Sequence, residues 1–232
     1  MLRPLLADLV ALFFPQACLA CTEPLVAGEQ HLCTGCRTEL PYTDYHLLPA
    51  AQNPLGRRFW GKLPVVHVVS YLRFLRHGRV QQLLHQLKYQ GQEQVGRALG
   101  QLYGAELLAS GLGAEFEVVV PVPLHRRKLA RRGYNQADAF AEGLAAALPG
   151  QRASHALRRT EHTDSQTRKS RAERWQNVAA VFEVAQPASV VGRHVLLVDD
   201  VLTTGATLEA CGGALLAAGA RAVSIATIAC AE

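Results

Sequence analysis

The chain has 232 residues, 49% of them hydrophobic and 19% charged, a balance that excludes a disordered polymer and predicts one main core with a smaller module attached. The net charge of +5 is uneven: Arg126, Arg127, Lys128, Arg131 and Arg132 form one cluster, and Arg158, Arg159, Arg168, Lys169, Arg171 and Arg174 another. Such clusters suit phosphate-rich small molecules and nucleic-acid backbones alike, or stand as a solvated basic face, and charge alone does not choose.

At the start, Leu2, Leu5, Leu6, Leu9, Val10 and Phe13 recur at helical spacing, and Asp8 interrupts the apolar run. The segment reads as an amphipathic helix lying on the protein rather than a secretory signal. No other stretch approaches the roughly 20 apolar residues of a membrane span. Cys18-Leu-Ala-Cys21 and Cys33-Thr-Gly-Cys36 follow, two C-x-x-C pairs with eleven residues between them. Each pair presents two thiolates from one tight knuckle, and four sulfurs make the closed tetrahedral set of a structural zinc ribbon. Two disulfides would need an oxidising compartment that the first helix does not support, so a cytoplasmic location is expected. An iron-sulfur cluster is a further alternative, although nothing else in the chain points to electron transfer. Cys211 and Cys230 sit in apolar surroundings and read as core.

Residues 41–64, rich in proline with the Arg57-Arg58 pair, read as a linker or clasp that separates a module over 1–64 from a main domain over 65–232. In that domain "PVVHVVSYL" reads as a strand, 80–88 and 95–108 as helices, and the valine run of "EFEVVVPVP" as a strand buried on both faces. A basic loop after Pro123 leads to an alanine-rich helix opened by Asn135, and 157–177 is polar and basic with little periodicity. "VAAVFEV" and "HVLLVDD" read as strands, 206–218 as a helix closed by Gly219, and "AVSIATIA" as the last strand. Strand and helix alternate, which predicts an α/β fold, a mostly parallel sheet with helices on both faces.

"VLLVDDVLTTGAT" carries the chemistry. In an open parallel sheet the ligand crevice lies at the carboxyl ends of the strands, so Asp199 and Asp200 are expected at its mouth. The helix start that follows offers backbone N–H groups and the hydroxyls of Thr203, Thr204 and Thr207 to a phosphate, and Gly205 permits close approach. The acids suit neighbouring hydroxyls or a metal ion. A ribose 5-phosphate meets both demands. No G-x-x-x-x-G-K-[ST] and no G-x-G-x-x-G after a strand occurs, which removes the common nucleotide loops.

The same stretch resembles the 5-phosphoribosyl-1-pyrophosphate signature of type I phosphoribosyltransferases. "LHQLKYQG", "VVVPVPLHRRKLARRGYNQA" and the spaced Gln166, Arg174 and Asn177 resemble the ComF family, found in proteins linked to DNA uptake during natural transformation and to the use of DNA as a nutrient, and similar in carrying a four-cysteine zinc module first. The resemblance implies that Asp199 and Asp200 take the ribose hydroxyls, and that Val201, Leu202, Thr203, Thr204, Gly205, Ala206 and Thr207 form the donor loop. It places Arg126, Arg127, Tyr134, Asn135 and Gln136 at the pyrophosphate, and Gln166, Lys169, Arg171 and Arg174 in a flexible hood. Lys88 and Arg126 join the two acids as the catalytic set, with Cys18, Cys21, Cys33 and Cys36 on zinc and Mg²⁺ accompanying the donor. His125 and His162 could transfer protons but read more readily as ordinary polar loop residues.

Two functions follow from the sequence. One is transfer of phosphoribosyl to an acceptor whose pocket the motifs do not mark, with the region near the zinc module as one place for it. The other is a non-catalytic module that engages single-stranded DNA or proteins of the uptake machinery, with Tyr42, Tyr45, Phe59 and Trp60 as stacking candidates that read more readily as core or linker packing.

Overall fold

Apolar runs of β-branched residues bounded by turn signals become the inner strands of one sheet, as a computed structural model describing residues 16–160 and 181–231 shows. The expected amphipathic helix at the start lies outside the described residues, as do His162, Gln166, Lys169, Arg171 and Arg174.

The elements in chain order are α1 (Thr34–Glu39), β1 (Val68–Arg73), α2 (Arg79–Tyr89), α3 (Glu93–Ala109), β2 (Val118–Pro121), α4 (Arg126–Arg132), α5 (Gln136–Ala147), β3 (Gln151–Arg152), β4 (Leu157–Arg159), β5 (Phe182–Val184), β6 (His194–Leu202), α6 (Ala206–Ala217) and β7 (Ala222–Cys230). The main sheet runs β1-β7-β6-β2-β3, and every neighbouring pair is parallel. Val120, Leu197, Ile225 and Val68 lie side by side in register across four strands. These four belong to the core under α6, whereas Val119, Leu196, Val198 and Ala226 belong to the core under α2, α3 and α5. Both faces of the inner strands are therefore covered, which explains the unbroken valine and leucine runs.

From β2 the chain moves outward to β3, and from β6 it moves the other way to β7. The strand order thus reverses between β2 and β6. A crevice must open there at the carboxyl ends, because the connections on its two sides diverge.

Helices α3 and α5 cross closely because each presents glycine to the other. A methyl group at Gly100 would overlap Phe140 O, and one at Gly143 would overlap Arg97 O. Gly213, on α6, meets nothing within 4 Å. Gly100→Ala is expected to cost about 1–3 kcal/mol through overpacking, while Gly213→Ala is neutral or stabilising through helix propensity. Thermal melts of the two variants check this; equal melting temperatures would remove the close-packing argument.

Residues 41–64 act as a clasp along the β1 edge. The Thr43 N–H donates to Tyr71 O at 3.1 Å and the Arg73 N–H to Pro41 O at 2.8 Å. Leu55, Phe59 and Leu63 are buried in the α6-side core. Tyr42 packs on Tyr71 with ring centroids 5.2 Å apart, so of the aromatics there only Trp60 is largely exposed, at 67%.

The structure departs from the sequence expectation at several places. The first strand run shortens to Val68–Arg73, the loop after Pro123 contains a helix, and the strand carrying the acids continues through Leu202. The described start of the 157–177 segment is β4, antiparallel to β5.

Candidate functional site

The four knuckle cysteines converge first. Cys33 caps α1, its Sγ accepting the Cys36 N–H at 3.4 Å, and Cys18 Sγ accepts from the N–H groups of Cys33 at 3.3 Å and Ala20 at 3.4 Å. The Sγ atoms of Cys18, Cys21, Cys33 and Cys36 all lie within 4.8 Å of one another, with Cys21 and Cys33 at 3.7 Å. A tetrahedral Zn–S₄ site with bonds of about 2.3 Å needs sulfurs about 3.8 Å apart, so the set fits the ion. The knuckle sulfurs Cys21 and Cys33 stand at 3.7 Å, well beyond the roughly 2.05 Å of a disulfide, so the arrangement is a four-sulfur cluster and not a bonded pair. Burial opposes the Cys18 thiolate, yet the N–H groups of Cys33, Cys21 and Ala20 outweigh it and bring the thiol down to about 6. Among the described residues this is the one cluster of three or more metal-ligating side chains.

At the other site β6 supplies the acids. β2 pairs with β6 only as far as Pro121 opposite Val198, whereas β7 continues to Leu202. Asp199 and Asp200 therefore lie on a strand held from one side and open on the other, facing the crevice. Lys88, in the last turn of α2, holds Asp200 Oδ2 at 3.0 Å, and the Asp200 N–H donates to Asp199 Oδ1 at 2.8 Å. Burial and then the Asp200 charge push Asp199 up to about 7.

The threonine-glycine loop follows directly. Gly205, at φ +84°, is the cap of α6, and an added Cβ there would stand 3.0 Å from Phe59 Cζ. Val201 is half-buried and Leu202 buried in the strand, while Thr203, Thr204, Ala206 and Thr207 are exposed on the loop and first helical turn. The strand-to-helix turn expected from the threonines and glycine is present, with the first N–H groups of α6 at its end.

The opposite wall comes from α4 and the start of α5. His125, Lys128, Arg132 and Gln136 line a cavity of about 210 Å³ together with Asp199 and Asp200. Positions 125, 128 and 132 fall on one face because they are separated by three and four residues. Arg126 faces a neighbouring cavity of about 500 Å³ instead, and Arg127 is exposed, its N–H donating to His125 Nδ1 at 3.1 Å. Arg126 and Arg127 stand out only while the segment is taken as a loop; helical periodicity is the signal that singles out Lys128 and Arg132.

The remaining predicted residues divide between positioning and binding. Tyr134 donates its hydroxyl to Leu87 O, tying the α4–α5 turn to α2. Asn135 donates to Val122 O at 2.9 Å and caps α5 by accepting the Ala137 N–H at 3.2 Å. Gln136, only 1% exposed, accepts from Arg132 Nη1 at 2.6 Å. Gln136 Nε2 and Arg132 Nε are buried donors without an acceptor among the described residues. Orphaned donors lining a cavity call for an acceptor-rich ligand such as a phosphate.

Comparison with known proteins adds the ancestry. The phosphoribosyl transferase domain family matches residues 129–231, and the double zinc ribbon domain family matches residues 9–47. The chain is 32% identical over 220 residues to the DNA utilization protein YhgH of Escherichia coli K12, covering 91% of this chain and 95% of that protein. The chain belongs to the ComF family. Competence protein F of Haemophilus influenzae is 28% identical, covering 85% of this chain and 89% of its own. Competence protein ComFC of Bacillus subtilis is 26% identical, covering 85% and 83%.

The ComF assignment favours zinc over an iron-sulfur cluster at the four cysteines, since the matched ribbon spans all of them. The transferase match contains the acids and the threonine-glycine loop, but starts inside α4 and leaves out Lys88. That residue is supplied by the part of this ComF chain lying between the two matched domains. No helix among the described residues is long and apolar enough to cross a membrane.

Proposed function

We propose that this ComF-family protein binds 5-phosphoribosyl-1-pyrophosphate with Mg²⁺ and transfers the phosphoribosyl group to a nucleophilic acceptor, in the service of DNA uptake or use. Residues 1–64 form its zinc-bearing module and 65–232 its donor-binding domain. Both work in the cytoplasm, where thiolates stay reduced.

One observation carries the reading. The acid pair lines one small cavity together with Thr207, from the helix start after Gly205, and with Lys128 and Arg132 of the cationic wall. A ribose bearing phosphate at one end and pyrophosphate at the other has this order of groups. Asp199 and Asp200 would accept hydrogen bonds from its two hydroxyls, the exposed N–H groups and hydroxyls of Thr203 to Thr207 would take the 5-phosphate, and Lys128, Arg132 and Gln136 the pyrophosphate.

In the reaction the bond between the anomeric carbon and pyrophosphate oxygen breaks, its electron pair leaving with pyrophosphate, and an acceptor lone pair forms the new bond. Positive charge builds on the ribose, so carboxylates beneath it and cations around the leaving group lower the barrier. The hard oxygens of Asp199 and Asp200 suit Mg²⁺, with the donor's own oxygens completing its shell, and the ion would neutralise charge on the departing group. Lys88 holds Asp200 in place until the donor arrives.

Isothermal calorimetry of the full chain with the donor, with and without Mg²⁺, tests this. Metal-dependent binding is expected. A folded, zinc-loaded protein that binds no donor would sink the reading.

A second reading, a module for single-stranded DNA or an uptake partner, is supported by one surface feature. Tyr89 is 63% exposed, His85 lies 5.1 Å from its ring, and Arg132 stands over it at 5.4 Å, beside the exposed basic face of α4. Such a platform suits stacked bases, and binding through it would weaken steeply with salt, unlike donor binding.

A further inference from the structure

The 3₁₀ turn Gly56–Phe59 reaches the donor loop from the far end of the chain. Asn53 anchors the turn: its Nδ2 donates to Val68 O at 2.8 Å and to Tyr45 O at 3.2 Å, and its Oδ1 accepts the Leu55 N–H at 3.0 Å. From that base Arg58 crosses the carboxyl ends of β6 and β7. Its Nη1 donates to Leu202 O at 3.4 Å and to Thr203 O, and its Nη2 donates to Ala231 O. The next residue, Phe59, is buried against Gly205.

Peptide geometry gives these contacts a consequence. The described backbone has no cis bond, and in a trans unit the carbonyl and the following N–H point in opposite directions. Holding the Thr203 carbonyl on the guanidinium turns the Thr204 N–H away from Arg58. The Leu202 carbonyl, held by the Ala231 N–H at 2.9 Å with Arg58 as a longer second donor, turns the Thr203 N–H outward in the same way. Both residues are exposed, so these donors are presented outward, and the carbonyls that would repel an anion are kept behind the loop. The loop has few such ties of its own: Thr204 Oγ1 meets the Ala206 N–H only at 3.5 Å.

We propose that Arg58 is a positioning residue for the 5-phosphate cradle, setting the Thr203–Thr204 peptide plane from outside the transferase-matched segment; this rests on the donor-binding reading above. The clasp thereby becomes part of the donor site. Phe59 supplies its floor.

The test uses the full zinc-loaded chain and three probes in calorimetry: 5-phosphoribosyl-1-pyrophosphate with Mg²⁺, ribose 5-phosphate, and inorganic pyrophosphate with Mg²⁺. Arg58→Gln is expected to weaken both 5-phosphate ligands by about tenfold, the scale of a lost charge-assisted hydrogen bond, and to leave pyrophosphate affinity unchanged. Arg58→Lys, which keeps one donor head, should recover part of the loss and guards against misfolding of the glutamine variant. Equal weakening of all three probes would mean a general structural role and overturn the proposal. Unchanged affinities in Arg58→Gln, with the wild type binding normally, would overturn it while sparing the donor reading. Failure of the wild type to bind either 5-phosphate ligand would overturn both.

Discussion

Cys36→Ser, or removal of the metal by a chelator, is expected to unfold the knuckle region and to loosen the distant crevice with it. The knuckle region, residues 16–40, has one short helix, α1, and its buried residues number few: Cys18, Ala20, Leu32, Cys36 and Leu40. So small an apolar set cannot hold a fold without a staple. Structural zinc contributes about 10–16 kcal/mol in isolated finger peptides, enough to dominate here. The effect should travel, because these five residues share one core with Leu83, Leu84 and Leu87 of α2, and Glu39 pairs with Arg79 at the start of that helix. Lys88, the partner of Asp200, sits on its last turn. Zinc release followed with a chromophoric chelator, thermal melts and limited proteolysis would check the sequence of events. The expected result is one equivalent of zinc, a melting temperature lower by several degrees and a cut near the knuckles. A metal-free protein that melts like the native one would show that the site stabilises nothing.

The parts of this molecule legible in its sequence are those where local chemistry repeats or is densely marked. Valine and leucine runs announce strands covered on both faces, and C-x-x-C pairs announce a metal whatever surrounds them. The acid pair followed by threonines and Gly205 marks a strand-to-helix cradle because few other ligands want that order. What stays hidden depends on distance in sequence or on helix phase. Lys128 and Arg132 are visible as charges, but only the helical turn of α4 separates them from Arg126 and Arg127. Asn135 and Tyr134 belong to the expected segment, yet their partners, Val122 O and Leu87 O, are backbone atoms that no pattern reveals. Arg58 looks like a linker charge, since its partners lie at Leu202, Thr203 and Ala231. The two-residue β3 escapes notice because Gln151 and Arg152 are exposed and carry no strand periodicity.

Asp199→Asn is expected to move stability and binding in opposite directions. Burial and the adjacent Asp200 hold the Asp199 carboxyl up to about 7 in the native protein. The unfolded chain releases that proton near pH 3.9. Between those values the native state carries a proton the unfolded state has lost, so stability falls as pH rises through the window and stays low above it. Asparagine does not titrate and has no such loss. Melting temperatures of the variant should therefore exceed those of the wild type at pH 8 and approach them at pH 4. Asp200→Asn should behave otherwise, because it leaves Lys88 without its partner at 3.0 Å and removes a contact instead of a strain. Both variants should bind the ribose donor roughly 30- to 100-fold more weakly, as expected when a charged acceptor is lost from paired hydroxyls. Donor affinity of the wild type should rise through pH 7, where Asp199 gives up its proton to become the acceptor the hydroxyls require. If Asp199→Asn binds the donor as tightly as the wild type, the acid pair has no part in holding ribose. If its stability follows the same pH curve as the wild type, the strained carboxyl is not at residue 199.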